Sequence, residues 1–163
     1  MKNRKGVTVV ELLIALFAIG LLSLVLSSFM KNSGIFFRRS TVKTQLSNES
    51  RDAMATMIHF LKEGQSQSTI VSTPVGGQIY SQIDFKLVGS NIPYRFVRSG
   101  NQLIMKVNNR TQILTQNCSS LYFTYPSSED ATFIQINFDV SLNSDPNRLE
   151  KIVGTQIVRM SPG

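Results

Sequence analysis

The sequence is short of the residues that build metal and redox sites. Among its 163 residues it has one cysteine, Cys118, and one histidine, His59. A single cysteine excludes an intramolecular disulfide and a cysteine-based metal cluster, and we interpret Cys118 as a small, semi-buried strand residue. No cysteine or carboxylate cluster accompanies His59, so we interpret it as a helix-surface or semi-buried residue.

Charge gives little indication of a partner. The chain has 17 basic and 10 acidic residues, for a formal charge of +7. Three of the basic residues, Lys2, Arg4 and Lys5, precede Gly6, and without them 14 basic and 10 acidic residues leave a net charge of +4. The remaining lysines and arginines are scattered and not interleaved with aromatic residues, so no nucleic-acid partner is evident.

Motifs for catalysis or cofactor binding are also missing. Glu129 and Asp130 form an acidic pair in a predicted turn, but Asp139 and Asp145 are separated from that pair by a strand, so we expect no calcium site. The Gly76-Gly77 pair lacks the lysine and the helix start of a phosphate-binding loop. The sequence therefore predicts no enzyme, no cofactor and no metal.

One long apolar run lies near the start of the chain. Residues 12–30 are 19 residues without a charge or a proline, and as a helix they are long enough to cross a bilayer core. Three basic residues precede the run and four follow it, so the positive-inside rule does not decide its orientation. A cleaved secretory signal and an uncleaved signal anchor both fit the run, although Glu11 is hard to explain in a cleaved signal.

The order of features around Gly6 is more specific. A short basic leader ends at Gly6, an apolar stretch follows directly, and a single carboxylate, Glu11, stands at the fifth position after the glycine. This order resembles the prepilin signature of type IV pilins and type II secretion pseudopilins. It departs from the family at Val7, where the family usually has phenylalanine.

The resemblance implies how the N-terminus is processed and used. A prepilin peptidase would cleave between Gly6 and Val7 and methylate the new amine of Val7, which keeps its positive charge. Glu11, in the first turn of the helix, would be favoured by the helix dipole and would pair with the amine of a neighbouring subunit in a fibre. Without such a partner, a charge in the bilayer is costly.

The same resemblance implies a location and partners. The protein would be a single-pass protein of the inner membrane, with a cytoplasmic N-terminus and a periplasmic or extracellular C-terminal domain. It would enter a fibre together with other pilin or pseudopilin subunits, through contacts of its N-terminal helix and the action of an inner-membrane assembly platform.

Beyond the apolar run, the pattern predicts that the helix continues. The apolar residues recur mostly at offsets of 4 and 7, at Ile35, Val42, Leu46, Ala53, Met57 and Leu61, with Met54 and Ile58 beside them. This is the pattern of a helix with one buried face, in which Met54 and Met57 are packing residues. No proline occurs before Pro74, so one helix is predicted over residues 7–63, with softer points at Gly20 and Gly34 and a stop at Gly64.

After Gly64 the sequence predicts strands. Residues 65–77 are predicted to be a loop that includes a short strand near 69–72. Seven strand-like segments follow at 78–88, 94–98, 102–107, 112–114, 121–125, 132–142 and 152–160, of which 112–114 is short. Residues 99–101 and 144–147 are predicted turns. The result is an α+β fold in which a long helix packs on an antiparallel sheet of five to seven strands.

The predicted organisation has four parts. They are a cleaved basic leader (1–6), a transmembrane and assembly half of the helix (7–30), an amphipathic half (31–64) and an antiparallel β-sheet domain (65–163). This order resembles the pilin fold, and residues 51–64 and 114–125 loosely resemble J-type pseudopilins and W-type minor pilins.

The predicted function is structural, as a minor pilin or pseudopilin of a type IV pilus or a type II secretion pseudopilus. The alternative is an uncleaved, signal-anchored periplasmic binding domain, which requires that no processing occurs after Gly6. An enzyme acting on envelope material would need a cluster of ionisable residues that the sequence does not show.

Overall fold

A computed structural model describes residues 8–127, 130–145 and 148–162, with backbone alone at 144, 145 and 148. The chain divides into two compact units, Met1–Ser40 and Thr41–Gly163. One helix, α1 (Val9–Lys62), forms nearly all of the described part of the first unit and contributes its remaining turns to the second. The predicted helix is thus confirmed, with its start at Val9.

In the first unit, α1 is largely exposed, and its residues 12–30 carry no charge. The helix passes through Gly20 and Gly34 without a break. Ile35 was predicted to lie on the buried face, and this is wrong, because 36% of its surface is exposed. Helical spacing identifies one face of a helix but does not say where along its length that face is covered.

The second unit adds two antiparallel sheets to the last turns of α1. The strands are β1 (Ile70–Ser72), β2 (Gln82–Lys86), β3 (Pro93–Ser99), β4 (Gln102–Val107), β5 (Arg110–Thr115), β6 (Cys118–Thr124), β7 (Phe133–Asp145) and β8 (Arg148–Arg159). The first sheet has the order β1-β2-β3-β4-β5 and the second has the order β6-β7-β8. The α+β arrangement is confirmed, with eight strands in the described residues rather than five to seven.

The start of β2 differs from the prediction. Residues 78–81 form a turn, in which the N–H of Ser81 donates to the carbonyl of Gln78 at 3.2 Å. Tyr80 has a φ of +54°, a left-handed conformation that interrupts an extended strand. As a result Ile79, which falls within the predicted strand 78–88, lies in this turn and is 63% exposed.

The last hairpin is longer than predicted. β7 runs to Asp145 and β8 begins at Arg148, so residues 144 and 145 of the predicted turn lie in β7, and Pro146 and Asn147 lie outside the described residues. By contrast, the predicted turn at 99–101 is confirmed, since β3 and β4 flank Gly100, whose φ of +59° suits a glycine.

The core of the second unit lies between α1 and the sheets. The helix contributes a face of buried residues, most of them three or four apart, namely Leu46, Ser50, Ala53, Met54, Met57 and Leu61. Their apolar members join one cluster with the large buried side chains of the strands, among them Phe85, Phe96, Phe123 and Phe138. The predicted packing role of Met54 and Met57 is therefore confirmed.

Gly64 ends the helix at a point of close approach. Its N–H donates to the carbonyl of Leu61 at 3.1 Å. A Cβ at this position would lie 2.7 Å from Cε of Met160 and 2.9 Å from Cδ2 of Phe85. A glycine is needed here because the neighbouring side chains occupy the space of a Cβ, and not because of a left-handed backbone.

Candidate functional site

The first turn of α1 is closed by Thr8 and Glu11. The backbone N–H of Thr8 donates to Oε2 of Glu11 at 2.8 Å, and the hydroxyl of Thr8 donates to the same oxygen at 3.0 Å. In return, the N–H of Glu11 donates to Oγ1 of Thr8 at 3.3 Å. This reciprocal pattern is a capping box, in which two otherwise unpaired N–H groups at the helix start are satisfied.

The capping box orients the carboxylate of Glu11. Its negative charge lies over the positive end of the helix dipole, which is a favourable position. Both hydrogen bonds that the carboxylate accepts from Thr8 go to Oε2, and Oε1 accepts none from the described residues. A carboxylate has lone pairs on both oxygens, so Oε1 remains available to a cation from outside the helix.

Thr8 is a site residue that we did not predict. The spacing Thr8-Val9-Val10-Glu11 matches the Ser/Thr-x-x-Glu/Gln signature of a capping box, so the signal was present in the sequence. The two residues predicted to flank the cleaved bond, Gly6 and Val7, lie outside the described residues, and their roles stay predictions.

The helix that follows Glu11 presents apolar side chains on all sides. α1 is long and apolar enough to span a membrane, and the apolar window that meets this test is not buried at all. Phe17 and Leu24, for example, are 70% and 68% exposed. At 1.5 Å per residue the 19-residue run is about 28 Å long, close to the hydrocarbon thickness of a bilayer. A continuous exposed apolar surface of this kind marks contact with a membrane or with other proteins.

Comparison with known protein families identifies the N-terminal segment. The family model of the prokaryotic N-terminal methylation motif matches residues 1–27. The N-terminus is a type IV pilin-like prepilin signal. No curated protein and no solved structure matches the chain.

The prepilin signal has general consequences for the protein. It implies processing by a prepilin peptidase and assembly with other pilin subunits. It indicates a family of structural subunits rather than of enzymes. Together with the apolar helix, it fits a membrane-anchored protein.

The carboxylates considered for a metal site make local contacts. Asp130 accepts the N–H of Thr132 at 2.9 Å. Asp139 accepts the hydroxyl of Ser120 at 2.6 Å and lies 2.8 Å from Nζ of Lys151. Glu129 lies outside the described residues. Within residues 8–127, 130–145 and 148–162, no group of three or more His, Cys, Asp or Glu could hold a metal.

His59 lies on the exposed side of α1. Its Nδ1 is 3.6 Å from Oε1 of Glu63, and its side chain is 66% exposed. The interpretation of His59 as a helix-surface residue is confirmed.

Cys118 is completely buried at the start of β6. Burial raises the pKa of its thiol to about 12, so at neutral pH the thiol is protonated and a poor nucleophile. We expect less than a few per cent labelling of the folded chain by a maleimide at pH 7.5 in non-denaturing detergent, and stoichiometric labelling in urea. Labelling of the folded chain at the rate of the unfolded one would contradict this burial.

Glu49 connects α1 to the β5–β6 turn. Its Oε2 accepts the side-chain N–H of Asn117 at 2.8 Å and the hydroxyl of Thr115 at 3.0 Å, and its Oε1 accepts Nε2 of Gln45 at 2.8 Å. Partial burial acts to raise the pKa of Glu49, but the hydrogen bonds from Asn117, Gln45 and Thr115 outweigh it, so the net effect lowers the pKa. The ionised carboxylate therefore stabilises this contact.

We expect Glu49→Ala to reduce the free energy of unfolding by about 1–2 kcal/mol at pH 7, less than the roughly 1.5–3 kcal/mol typical of a hydrogen bond to a charged group because Glu49 is only partly buried. Because the folded-state pKa is lowered, the stabilisation is fully present above the unfolded value of 4.5 and is lost as the pH falls through the folded-state pKa. The difference in free energy of unfolding between the variant and the wild type should therefore be smaller at pH 3 than at pH 7.

The measurement is pulse proteolysis of the full chain in detergent across a urea series at both pH values. Glu63→Ala, which removes a carboxylate that is 54% exposed, serves as the control and should change stability by less than about 0.5 kcal/mol. Equal effects of the two substitutions at pH 7 would show that the Glu49 network does not stabilise the domain.

Proposed function

We propose that the protein is a minor pilin or pseudopilin, a structural subunit of a type IV pilus or a type II secretion pseudopilus. It is cleaved between Gly6 and Val7, is N-methylated on Val7, and assembles through α1. The observation that carries the proposal is the prepilin signal, in which Glu11 is fixed in the first helical turn directly before an exposed apolar helix.

The pairing role of Glu11 follows from electrostatics. After cleavage, the amine of Val7 is a cation at the end of an apolar helix, and Glu11 is an anion one turn further on. In hydrocarbon, each unpaired charge is unfavourable by about 3 kcal/mol on the translocon-insertion scale. The amine of one subunit and the carboxylate of its neighbour remove both penalties when they meet, and they also set the axial stagger between adjacent helices.

The capping box supports this role because it leaves Oε1 of Glu11 available. Oε2 is engaged by Thr8, so the carboxylate does not need to give up its own helix cap in order to bind a neighbouring amine. The same two residues would therefore start the helix and present the anion.

The proposed topology is that of a single-pass protein of the inner membrane. The N-terminus lies in the cytoplasm, where the peptidase acts, and the β-sheet unit lies in the periplasm or outside the cell. An inner-membrane assembly platform transfers the subunit into the fibre. The loose resemblance of residues 51–64 and 114–125 to J-type pseudopilins and W-type minor pilins favours a minor rather than a major subunit.

Fibre isolation tests the proposal. Cells expressing a C-terminally tagged chain are sheared, and the fibre fraction is probed for the tag in the presence and absence of the prepilin peptidase. We expect the tag in the fibre fraction only when the peptidase is present. Retention of all tagged chain in the membrane fraction of both strains would instead favour the uncleaved, signal-anchored binding domain.

A further inference from the structure

Residues 31–39, which follow the apolar run directly, form a cationic segment of α1. They contain Lys31, Arg38 and Arg39, and no Asp or Glu occurs anywhere in residues 12–48. Lys31 and Arg38 are both exposed, and because they are seven residues apart they lie near the same face of the helix. An ordinary solvated helix face mixes both charge signs, whereas this one carries positive charge alone.

The same segment exposes two large aromatic side chains. Phe36 and Phe37 are 68% and 69% exposed, and their rings contact each other edge to face with centroids 6.2 Å apart. Exposed phenylalanines between lysine and arginine are the composition of helices that lie in the interface between headgroups and acyl chains.

The position of the segment matches the interfacial layer. Residues 31–38 extend about 12 Å along the helix beyond residue 30, and the headgroup layer on each side of the hydrocarbon core is roughly 5–8 Å thick. Lys31 falls within this layer, and the long side chain of Arg38 can reach back into it.

We propose that residues 31–39 are a binding site for anionic phospholipid headgroups. The cations of Lys31 and Arg38 bind the phosphate-bearing headgroups, and the ring of Phe36, about 9 Å beyond residue 30 along the helix, packs against the outer side of the headgroup layer. This occupant is favoured because the segment is continuous with the apolar run and its charge is complementary to that of acidic lipids. The inference rests on the proposed insertion of residues 12–30, and it adds a lipid-dependent anchor that must be released when the subunit leaves the membrane.

The chain contains no tryptophan, so a single introduced indole can report on the segment. The full-length Phe36→Trp protein is reconstituted into phosphatidylcholine vesicles with increasing fractions of phosphatidylglycerol, and quenching by lipids brominated near the headgroup is measured. We expect quenching that increases with the anionic fraction. Because the Debye length falls to about 3 Å at 1 M salt, 1 M NaCl should reverse the increase.

Charge variants test which residues bind. Each juxtamembrane cation contributes about 1 kcal/mol, or about a fivefold change in binding. The double variant Lys31→Gln and Arg38→Gln, made in the Phe36→Trp background, should therefore weaken binding of the segment to phosphatidylglycerol roughly thirtyfold. Arg51→Gln combined with Lys62→Gln removes the same charge from exposed positions of the same helix and should leave this binding unchanged.

A second reporter separates this inference from the proposed membrane insertion. Phe17→Trp, in the middle of the apolar run, should be quenched by lipids brominated deep in the acyl chain. An unquenched Trp at position 17 would overturn the insertion itself. Deep quenching at position 17, with no response to phosphatidylglycerol at position 36, would overturn the lipid site alone. A position-36 signal that follows protein density in the vesicle and not lipid charge would assign the segment to a neighbouring subunit and also overturn the lipid site.

Discussion

Glu11→Gln is expected to be cleaved like the wild type but to be nearly absent from fibres. The substitution keeps an N3 side chain that can complete the capping box and removes the charge that we propose pairs with the neighbouring amine. An unpaired amine in an apolar environment is unfavourable by about 3 kcal/mol, which corresponds to on the order of a hundredfold loss of incorporation. The measurement is the ratio of tagged chain in the fibre fraction to that in the membrane fraction.

Thr8→Ala is the matched control, because it breaks the capping box and leaves the carboxylate charge in place. Loss of an N-cap side chain destabilises a helix by about 1 kcal/mol, so we expect at most about a fivefold loss of incorporation. Glu11→Ala removes both functions and should be the most severe of the three. If Thr8→Ala abolished incorporation while Glu11→Gln preserved it, helix capping and not charge pairing would be the role of Glu11.

Phe85→Ala is expected to have the largest effect on the stability of the β-sheet unit. Phe85 is 1% exposed, and the centroid of its ring lies 5.7 Å from that of Phe96 and 5.8 Å from that of Tyr94. The same ring packs against Gly64. Truncation of a buried phenylalanine reduces the free energy of unfolding by about 3–5 kcal/mol. Since small domains are stable by only about 5–15 kcal/mol, the variant should be largely degraded in cells.

Pulse proteolysis of the purified full chain in detergent measures this effect as a shift of the urea midpoint. Val88→Ala is the control, because Val88 follows β2 closely and is 53% exposed, and it should change stability by less than about 0.5 kcal/mol. A midpoint for Phe85→Ala that coincides with that of Val88→Ala would mean that the aromatic cluster does not hold the unit together.

The features that periodicity encodes could be predicted from the sequence. The face of α1 that packs on the sheets, from Leu46 to Leu61, follows the helical period and was found by spacing alone. The prepilin signal could be predicted because Gly6, Glu11 and the apolar run are all within 30 residues of one another. The hairpin at Gly100 was found because glycine between two apolar strands is a local signal.

The features that were missed depend on conformation or on distant contacts. The left-handed turn at Tyr80 has no glycine or asparagine to indicate it, so residues 78–81 were included in the predicted strand 78–88. The Glu49–Asn117 contact joins residues 68 positions apart, and no local pattern predicts it. Thr8 is a different case, because the spacing of Thr8 and Glu11 matches the capping-box signature and could have been recognised from the sequence.

The central claim is that the chain is a prepilin processed after Gly6, and the mass of its N-terminus tests this claim most directly. The protein is extracted from membranes of strains with and without the prepilin peptidase, and its N-terminal peptide is analysed by mass spectrometry. We expect a peptide that starts at Val7 and carries one methyl group when the peptidase is present, and an uncleaved leader when it is absent. An intact Met1 in both strains would contradict it.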